Sequence, residues 1–379
     1  MKFSLMKEDL LYAVSAVERA VSSKNTLPIL NGIMITAINN TVRFRATDLE
    51  VAVECIINAA VEEEGETVIP GRRFAAMVKL LPGSEIMLSG GHDRLKVEYN
   101  GGRQSLPCLP AEEFPALPRC EGSVSTRLPV RVFKRLVRQT GIAASNDEVR
   151  PIFTAIYSEF FSDKLNMVAT NTHRLACSSI ACNSNAEGTF LIPNRALQEV
   201  SRLANDSDDI NITGGNNQVF FSFANIVFTT RVIMGNYPDY HQVIPDANTY
   251  INNISVDRTS FIQVLERAAL VSRETGRNKG NVVQLAVNVE EGLLEVSAEV
   301  PDEGSIRENL PISGSGSEIT INFNARYLLD VLKVLDTDLV MLNMTGLSTP
   351  CIITPSAADD EEAQSSSYIY LLLPVRVSK

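Results

Sequence analysis

The residues of this chain best suited to chemistry are its arginines and lysines, which recur on short amphipathic segments although the chain as a whole is acidic. It has 34 Lys and Arg against 45 Asp and Glu, for a net charge of −11. That balance alone argues against a nucleic-acid partner, but the distribution argues the other way. Six windows, 7–24, 72–83, 131–141, 194–205, 258–279 and 324–336, hold nineteen basic and eight acidic residues, a surplus of eleven that leaves −22 on everything else. Cations gathered on one repeated element would neutralise phosphates without reading bases, and acidic walls elsewhere would discourage binding. The first and last windows sum to zero, so the case rests on Arg72, Arg73, Lys79, Arg131, Lys134, Arg135, Arg138, Arg195 and Arg202. A solvated helix face explains any single window equally well; six in succession shift the balance toward a shared role.

Catalytic chemistry finds little to work with. The histidines are His92, His173 and His241, none in a metal-binding or nucleophile motif. There is no P-loop and no GxGxxG, and the glycines of Ser313-Gly314-Ser315-Gly316-Ser317 read as a polar turn. Glu62-Glu63-Glu64 and Asp359-Asp360-Glu361-Glu362 read as solvated loops. Cys55, Cys108, Cys120, Cys177, Cys182 and Cys351 form no CxxC pair, which predicts reduced, buried thiols. No catalytic residue, metal or cofactor is expected, and the chain reads as a binding protein and not an enzyme.

The basic windows coincide with candidate helices starting near Lys7, Arg72, Arg131, Arg195, Arg258 and Asn324, at intervals of 65, 59, 64, 63 and 66 residues. Spacing this even suggests stacked copies of one structural repeat. Leu10, Val14, Val17 and Val21 fall on one helical face, and Phe74, Met77, Val78 and Leu81 have the same spacing as Leu328, Val331, Leu332 and Leu335. Leu197, Val200 and Ala204 form a weaker version; Phe261, Val264, Leu265 and Ala268 form a strong one. The segment from Arg131 is the least tidy. Between the helices, Val42, Phe44 and Ala46 alternate as a strand does, as do Val51, Val53 and Cys55, then Leu95, Val97 and Tyr99. One helix laid across a half-buried antiparallel sheet makes half of a two-layer α+β domain. The 379 residues then divide into three such domains, 1–124, 125–248 and 249–379. No stretch approaches a membrane span and the N-terminus lacks a signal-peptide core, so a cytoplasmic location is expected.

Five segments carry a resemblance. They are Thr26-Leu27-Pro28-Ile29-Leu30, Ala169-Thr170-Asn171-Thr172-His173-Arg174-Leu175-Ala176, Tyr237-Pro238-Asp239-Tyr240, Phe323-Asn324-Ala325-Arg326-Tyr327-Leu328-Leu329 and the terminal Leu373-Pro374-Val375-Arg376. In this order, and from one end of the chain to the other, it resembles the bacterial DNA sliding clamp, the beta subunit of DNA polymerase III. The resemblance implies three tandem clamp domains of like topology, each of two helix-plus-antiparallel-sheet repeats. Two chains would join head to tail into a ring, helices lining the hole around double-stranded DNA and sheets forming the outer wall. The ring would act as a processivity factor, sliding without sequence specificity because weak phosphate attractions exchange easily.

The same resemblance implies three sets of residues. Lys24, with Arg72 and Arg73 at a basic helix start, matches DNA-contacting positions of the family. A pocket for short linear peptides from the replicative polymerase, the clamp loader, and repair polymerases or mismatch-repair proteins maps onto Phe153, Thr170, Thr172, His173, Arg174, Leu175, Pro238 and Val243. It continues with Asn324, Tyr327, Leu371, Leu372, Leu373, Pro374, Val375 and Arg376. Leu175, Val243, Leu372 and Val375 would accept a peptide's Leu or Phe, and Arg174 and Asn324 would set its direction. The homodimer interface maps onto Arg103 and Leu106 at one end of the chain and Leu270 and Val271 at the other.

Departures from the family pattern gather at the peptide pocket. Asn171-Thr172 stands where an Asp-Gly pair is usual, placing a Thr at a position that favours a residue free to adopt positive φ. Gln242 lies where some relatives carry a basic residue, and the last strand has Leu and Val where Met is common. Read from the residues alone, two other classes remain open: a repeat-built scaffold that binds peptides without encircling DNA, and a nucleic-acid enzyme. The scaffold would be indifferent to charge reversal at Arg73, Lys134 and Arg138, and the enzyme would need paired acids or metal ligands.

Overall fold

A computed structural model of the chain describes residues 1–22, 27–91, 93–272, 281–300, 304–356 and 366–376. Among them are six α-helices: α1 (Lys7–Val17), α2 (Gly71–Leu80), α3 (Val130–Gly141), α4 (Asn194–Leu203), α5 (Arg258–Val271) and α6 (Ala325–Val334). Their starts lie within a residue of the positions that the periodicity predicts. Each helix follows directly on a strand, namely Lys2–Met6, Gly65–Pro70, Val124–Pro129, Gly188–Pro193, Asn252–Asp257 and Ile319–Asn324. Local chemistry makes the switch. Pro70, Pro129 and Pro193 end three of these strands, and proline stops a ladder for want of an N–H while presetting φ for the helix entry. Asp257 and Asn324 end two others and cap the helix, accepting from Ser260 N at 2.7 Å and from Arg326 N and Tyr327 N at 2.9 and 3.2 Å.

The helices bury the faces that their spacing marks. Leu10, Val14 and Val17 of α1, Phe74, Met77 and Val78 of α2, and Leu328, Val331 and Leu332 of α6 are all in the core. Helix α3 is a regular amphipathic helix, a correction to its untidy reading. It buries Val132, Phe133, Leu136 and Val137, adjacent pairs one turn apart that form a stripe as wide as the usual three-and-four spacing does.

Two compact units emerge, residues 1–133 with 184–233, and residues 134–183 with 234–379. The first contains a five-stranded antiparallel sheet in the order Ala60–Glu63, Lys2–Met6, Glu85–Gly90, Arg94–Tyr99, Gly102–Pro107. Its larger sheet joins two sets of four, because Ile226–Arg231 pairs antiparallel with Val51–Asn58 and places Phe228 opposite Val53. Phe221 and Phe228 meet edge to face at 6.4 Å under this seam. The second unit repeats the device: Arg174–Ala181 pairs with Ser366–Leu372, bringing Leu175 opposite Leu371. Within each unit the hydrogen bonding therefore continues from one repeat set to the next.

Several strand edges are open among the described residues, and two of them lie at or beside the positions singled out for contact between chains. Gly102–Pro107 ends its sheet, and Gly304–Ser315 pairs with Leu293–Val300 along its first part but with Asn252–Asp257 only from Ile312 onward. Cysteine burial is mixed. Cys55 and Cys351 are buried, Cys108, Cys177 and Cys182 are half-buried, and Cys120 is exposed, which corrects the expectation that all six are interior.

Burial pushes the Cys55 and Cys351 thiols up to about 12, so at pH 8 they hold almost no thiolate, the nucleophilic form. Iodoacetamide at that pH should label Cys120 first and reach Cys55 and Cys351 only in denaturant, as peptide mass spectrometry would record. Early labelling of Cys55 would contradict the strand register around it.

Candidate functional site

The basic side chains are built onto the helix faces opposite the core. On α2, Arg72, Arg73 and Lys79 are exposed, and on α4 Arg195 and Arg202 are exposed. Arg72, Arg73 and Arg195 carry no ion pair among the described residues. The others in the first unit join a charge chain: Lys79 Nζ reaches Glu18 at 2.8 Å, Arg19 reaches Glu199 at 2.7 Å, and Arg202 also pairs with Glu199. This chain brings α2, the turn after α1 and α4 onto one surface. Exposed pairs of this kind contribute about 0–1 kcal/mol, so a phosphate can compete for the cation.

In the second unit, α3 presents Lys134, Arg135 and Arg138, with Arg138 paired to Asp336. Arg131 at the start of α3 is exposed. Arg135 is not fully offered to solvent, because its Nη2 is buried without a hydrogen bond. Helices α5 and α6 contribute less than their composition implies. Arg258 donates to Thr337 O and Leu332 O at the end of α6, Arg267 is held by Glu308, and Lys333 by Glu266. Among the described residues the available positive charge thus concentrates on α2, α3 and α4, with the exposed Arg326 added by α6. Lys24 lies outside the described residues.

The second constellation is organised by the turn between Lys164–Thr170 and Arg174–Ala181, wholly inside the second unit. Thr170 Oγ1 donates to Arg174 O at 2.7 Å and accepts from Thr172 N at 3.1 Å. The Asn171 side-chain oxygen accepts from His173 N and Arg174 N, both at 3.1 Å. Thr172 has φ +74°, a left-handed conformation that strains a β-branched residue. His173 is exposed and its carbonyl accepts from Leu373 N at 3.0 Å, tying the terminal segment to the turn.

Arg174 is buried, its guanidinium 4.1 Å above the Tyr327 ring, 2.6 Å from Asp330 and 3.4 Å from Tyr370 Oη. Burial pulls this guanidinium down, but Tyr370 and Asp330 outweigh it and hold it above its ordinary value. Arg174 and the Asn324 side-chain oxygen are therefore already committed, one to an internal pair and the other to capping α6, which corrects the idea that they stand free to orient a ligand. Leu371 and Leu372 are likewise core residues, Leu372 completely, so they support the surface from beneath and do not line an open wall.

What faces solvent is an apolar shelf. Leu175, Tyr240, Val168, Ile352 and Leu371 form its packed floor, with Tyr157, Tyr237 and Ile244 against it. Tyr157 and Tyr237 stack at 4.8 Å, and Phe153 meets Tyr237 edge-on at 6.2 Å. Among the other residues assigned to the pocket, Pro238 and Arg376 are exposed, Pro374 and Val375 half-buried, and Val243 and Leu373 are 50% and 37% exposed; Val375 N donates to Asn322 O at 2.8 Å. Sequence reasoning missed Tyr157, Asp330, Ile352 and Tyr370. Of these, Asp330 had a signal, since it lies one turn beyond Tyr327 and is the acid nearest in sequence to the Arg-stacking ring.

The edge residues are divided. Arg103 is exposed on the open strand and Leu270 is 66% exposed, with Val271 half-buried. Leu106 is 6% exposed and already occupied in its own core, which corrects its reading as an apolar contact; the backbone of its strand and the exposed Arg103, Gln104 and Ser105 remain available.

Two substitutions probe the turn. Asp330→Ala should destabilise the second unit by about 2 kcal/mol, less than the roughly 3–5 kcal/mol of a fully buried pair because the carboxylate is partly solvated. Thr172→Asn should stabilise it by about 1 kcal/mol, since Asn tolerates left-handed φ. Urea unfolding followed by tyrosine fluorescence measures both, and a neutral Asp330→Ala would show that Arg174 does not depend on its acid.

Family models for the DNA polymerase III beta subunit match in succession: the N-terminal domain over residues 1–118, the central domain over 127–239 and the C-terminal domain over 241–369. The beta sliding clamp of Staphylococcus epidermidis is 32% identical over 388 residues, covering 99% of each chain, and that of Staphylococcus aureus is 30% identical over the same span. The solved DNA polymerase sliding clamp of Bacillus subtilis superposes with a TM-score of 0.91 at 32% identity over 100% of both chains. The Pseudomonas aeruginosa clamp solved with griselimycin bound does so at 0.90 and 26%, again over 100% of both. The chain belongs to the family of the bacterial DNA polymerase III beta subunit, the beta sliding clamp, a non-catalytic processivity factor that works with DNA polymerase on DNA.

Proposed function

We propose that this chain forms a homodimeric ring that encircles duplex DNA, slides along it and tethers polymerase and other partners. The observation that carries the reading is the segregated charge: in an acidic protein, Arg72, Arg73 and Arg195, with no ion pair among the described residues, share helix faces with Lys79 and Arg202, whose ion pairs are exposed and exchangeable. Lys134, Arg135 and Arg138 extend the same pattern to α3, and Lys24 belongs with them by family position. Such contacts hold the backbone without sequence preference, and a closed ring needs no tighter grip. The domains in this reading are 1–124, 125–248 and 249–379.

Closure is supported by the open edges. Gly102–Pro107 and the first part of Gly304–Ser315 each present unpaired backbone groups, and joining one to the other across two chains would give a closed head-to-tail pair. Arg103 would face an acidic sheet carrying Glu295 and Glu299, with exposed Leu270 adding apolar contact. The shelf around Leu175, Val243 and Leu373 suits an apolar side chain of a linear peptide from a replicative polymerase, a clamp loader, or a repair or mismatch-repair protein. Griselimycin bound to the Pseudomonas aeruginosa clamp is in keeping with a ligand-accepting surface in the family. Work on replicating DNA would put the chain in the cytoplasm, and no helix among the described residues is long and apolar enough to cross a membrane.

Loaded by its cognate loader on nicked circular DNA, the protein should stay bound and should drain once the circle is linearised. Equal retention on both forms would defeat encirclement. Arg72→Glu with Arg73→Glu should weaken binding of the chain to DNA and flatten its dependence on log salt by about 0.9 for each phosphate no longer neutralised, while leaving drainage from linear ends intact.

A further inference from the structure

The turn at Thr170–Arg174 has a twin in the first unit. Between the strands Thr41–Thr47 and Val51–Asn58, Thr47 Oγ1 donates to Val51 O at 2.8 Å and accepts from Leu49 N at 3.0 Å. The Asp48 carboxylate accepts from Glu50 N and Val51 N at 3.0 and 2.8 Å, and Leu49 has φ +77°. Bond for bond this is the Thr-Asx turn of residues 170–174. The strand that follows each turn also pairs at the equivalent place with a later strand, Val51 with Thr230 and Arg174 with Leu372. An aromatic-proline pair accompanies each copy, Phe114-Pro115 in the first unit and Tyr237-Pro238 in the second.

The two copies differ in what fills them. In the second unit Tyr240, two residues beyond the proline, is buried in the floor, and Arg174 is stacked and paired. At the corresponding positions the first unit has the smaller Leu117 and Val51, and a cavity of about 220 Å³ lies beside its turn. Leu49, Val51 and Leu117 give it apolar walls, while Gln218 and Thr229 add polar groups. Leu49 is 44% exposed at this cavity, an aliphatic side chain held towards solvent on a left-handed backbone that a Cβ adopts only under constraint.

We propose that this cavity is a second peptide-docking site, taking an extended segment that inserts a leucine-sized side chain flanked by a basic residue. The flanking charge follows from the rim. Glu50, a lining residue, is 72% exposed, and the lining cation Arg231 touches it only at a loose 3.9 Å; the exposed Glu112 and Glu113 add negative charge just before the Pro115 wall in sequence. The kinship of the two turns bears on function only if residues 170–175 serve partner peptides, so the proposal rests on that reading.

The probe is fluorescein-labelled acetyl-Gly-Lys-Leu-Leu-Lys-Gly-amide titrated into the full chain, with affinity read by anisotropy and location by hydrogen exchange. Residues 47–52 and 115–118 should gain protection. Leu49→Asp, a surface change that spares the core, should weaken binding about tenfold, and the same peptide with Glu for Lys should bind about tenfold more weakly. Glu50→Lys should reverse that preference, which a merely unfolded variant would not do. Protection confined to residues 170–175 and 237–243, with loss in Val243→Asp, would overturn the proposal while leaving the second-unit site standing. A polymerase-tail peptide that protects neither segment would instead remove the reading on which it rests. No saturation by about 2 mM probe would also overturn it.

Discussion

Backbone hydrogen bonding across the repeat seams is the constraint on which the rest of this structure depends. Ile226–Arg231 against Val51–Asn58, and Ser366–Leu372 against Arg174–Ala181, turn separate four-stranded sets into continuous sheets. A sheet so extended has one face to bury, and the helices bury it, which leaves their opposite faces free for charge. The seams also decide where the Thr-Asx turns fall, because each strand that makes a seam is the one that leaves a turn. The positive side chains and the apolar shelf are in this sense two consequences of one strand arrangement.

Electrostatics then sorts the cations by what surrounds them. Arg174 is buried, so its charge must be answered in place, and Tyr327, Asp330 and Tyr370 answer it. Lys79, Arg138 and Arg202 are solvated and hold acids that they can release. Arg258 serves carbonyl groups at the end of α6 and is structural although it counts as basic in the composition. A surplus of positive charge measured along the chain is therefore larger than the charge available to a polyanion.

The two strained turn residues illustrate how repetition carries geometry beyond sequence identity. Leu49 and Thr172 share neither chemistry nor size, yet both sit at φ near +75° because the preceding Thr and Asx side chains fix the backbone from both sides. Glycine would meet no penalty there.

Much of the architecture was legible in the residues. Apolar spacing located five of the six described helices, since a buried helical face imposes its period on the sequence, and the even interval located α3; strand-ending prolines and caps mark where five of them begin. The family of the chain was legible in five short segments for the same reason: local backbone needs, such as the Thr170-Asn171 turn and the Asn324 cap, restrict residue type. Which side chains remain available was decided only by tertiary structure. Leu106, Leu371 and Leu372, contact residues by resemblance to the family, are spent in the core, and Asp330, distant in sequence from Arg174, holds it. Burial and pairing depend on neighbours brought together from far along the chain, and periodicity along one segment carries no record of them.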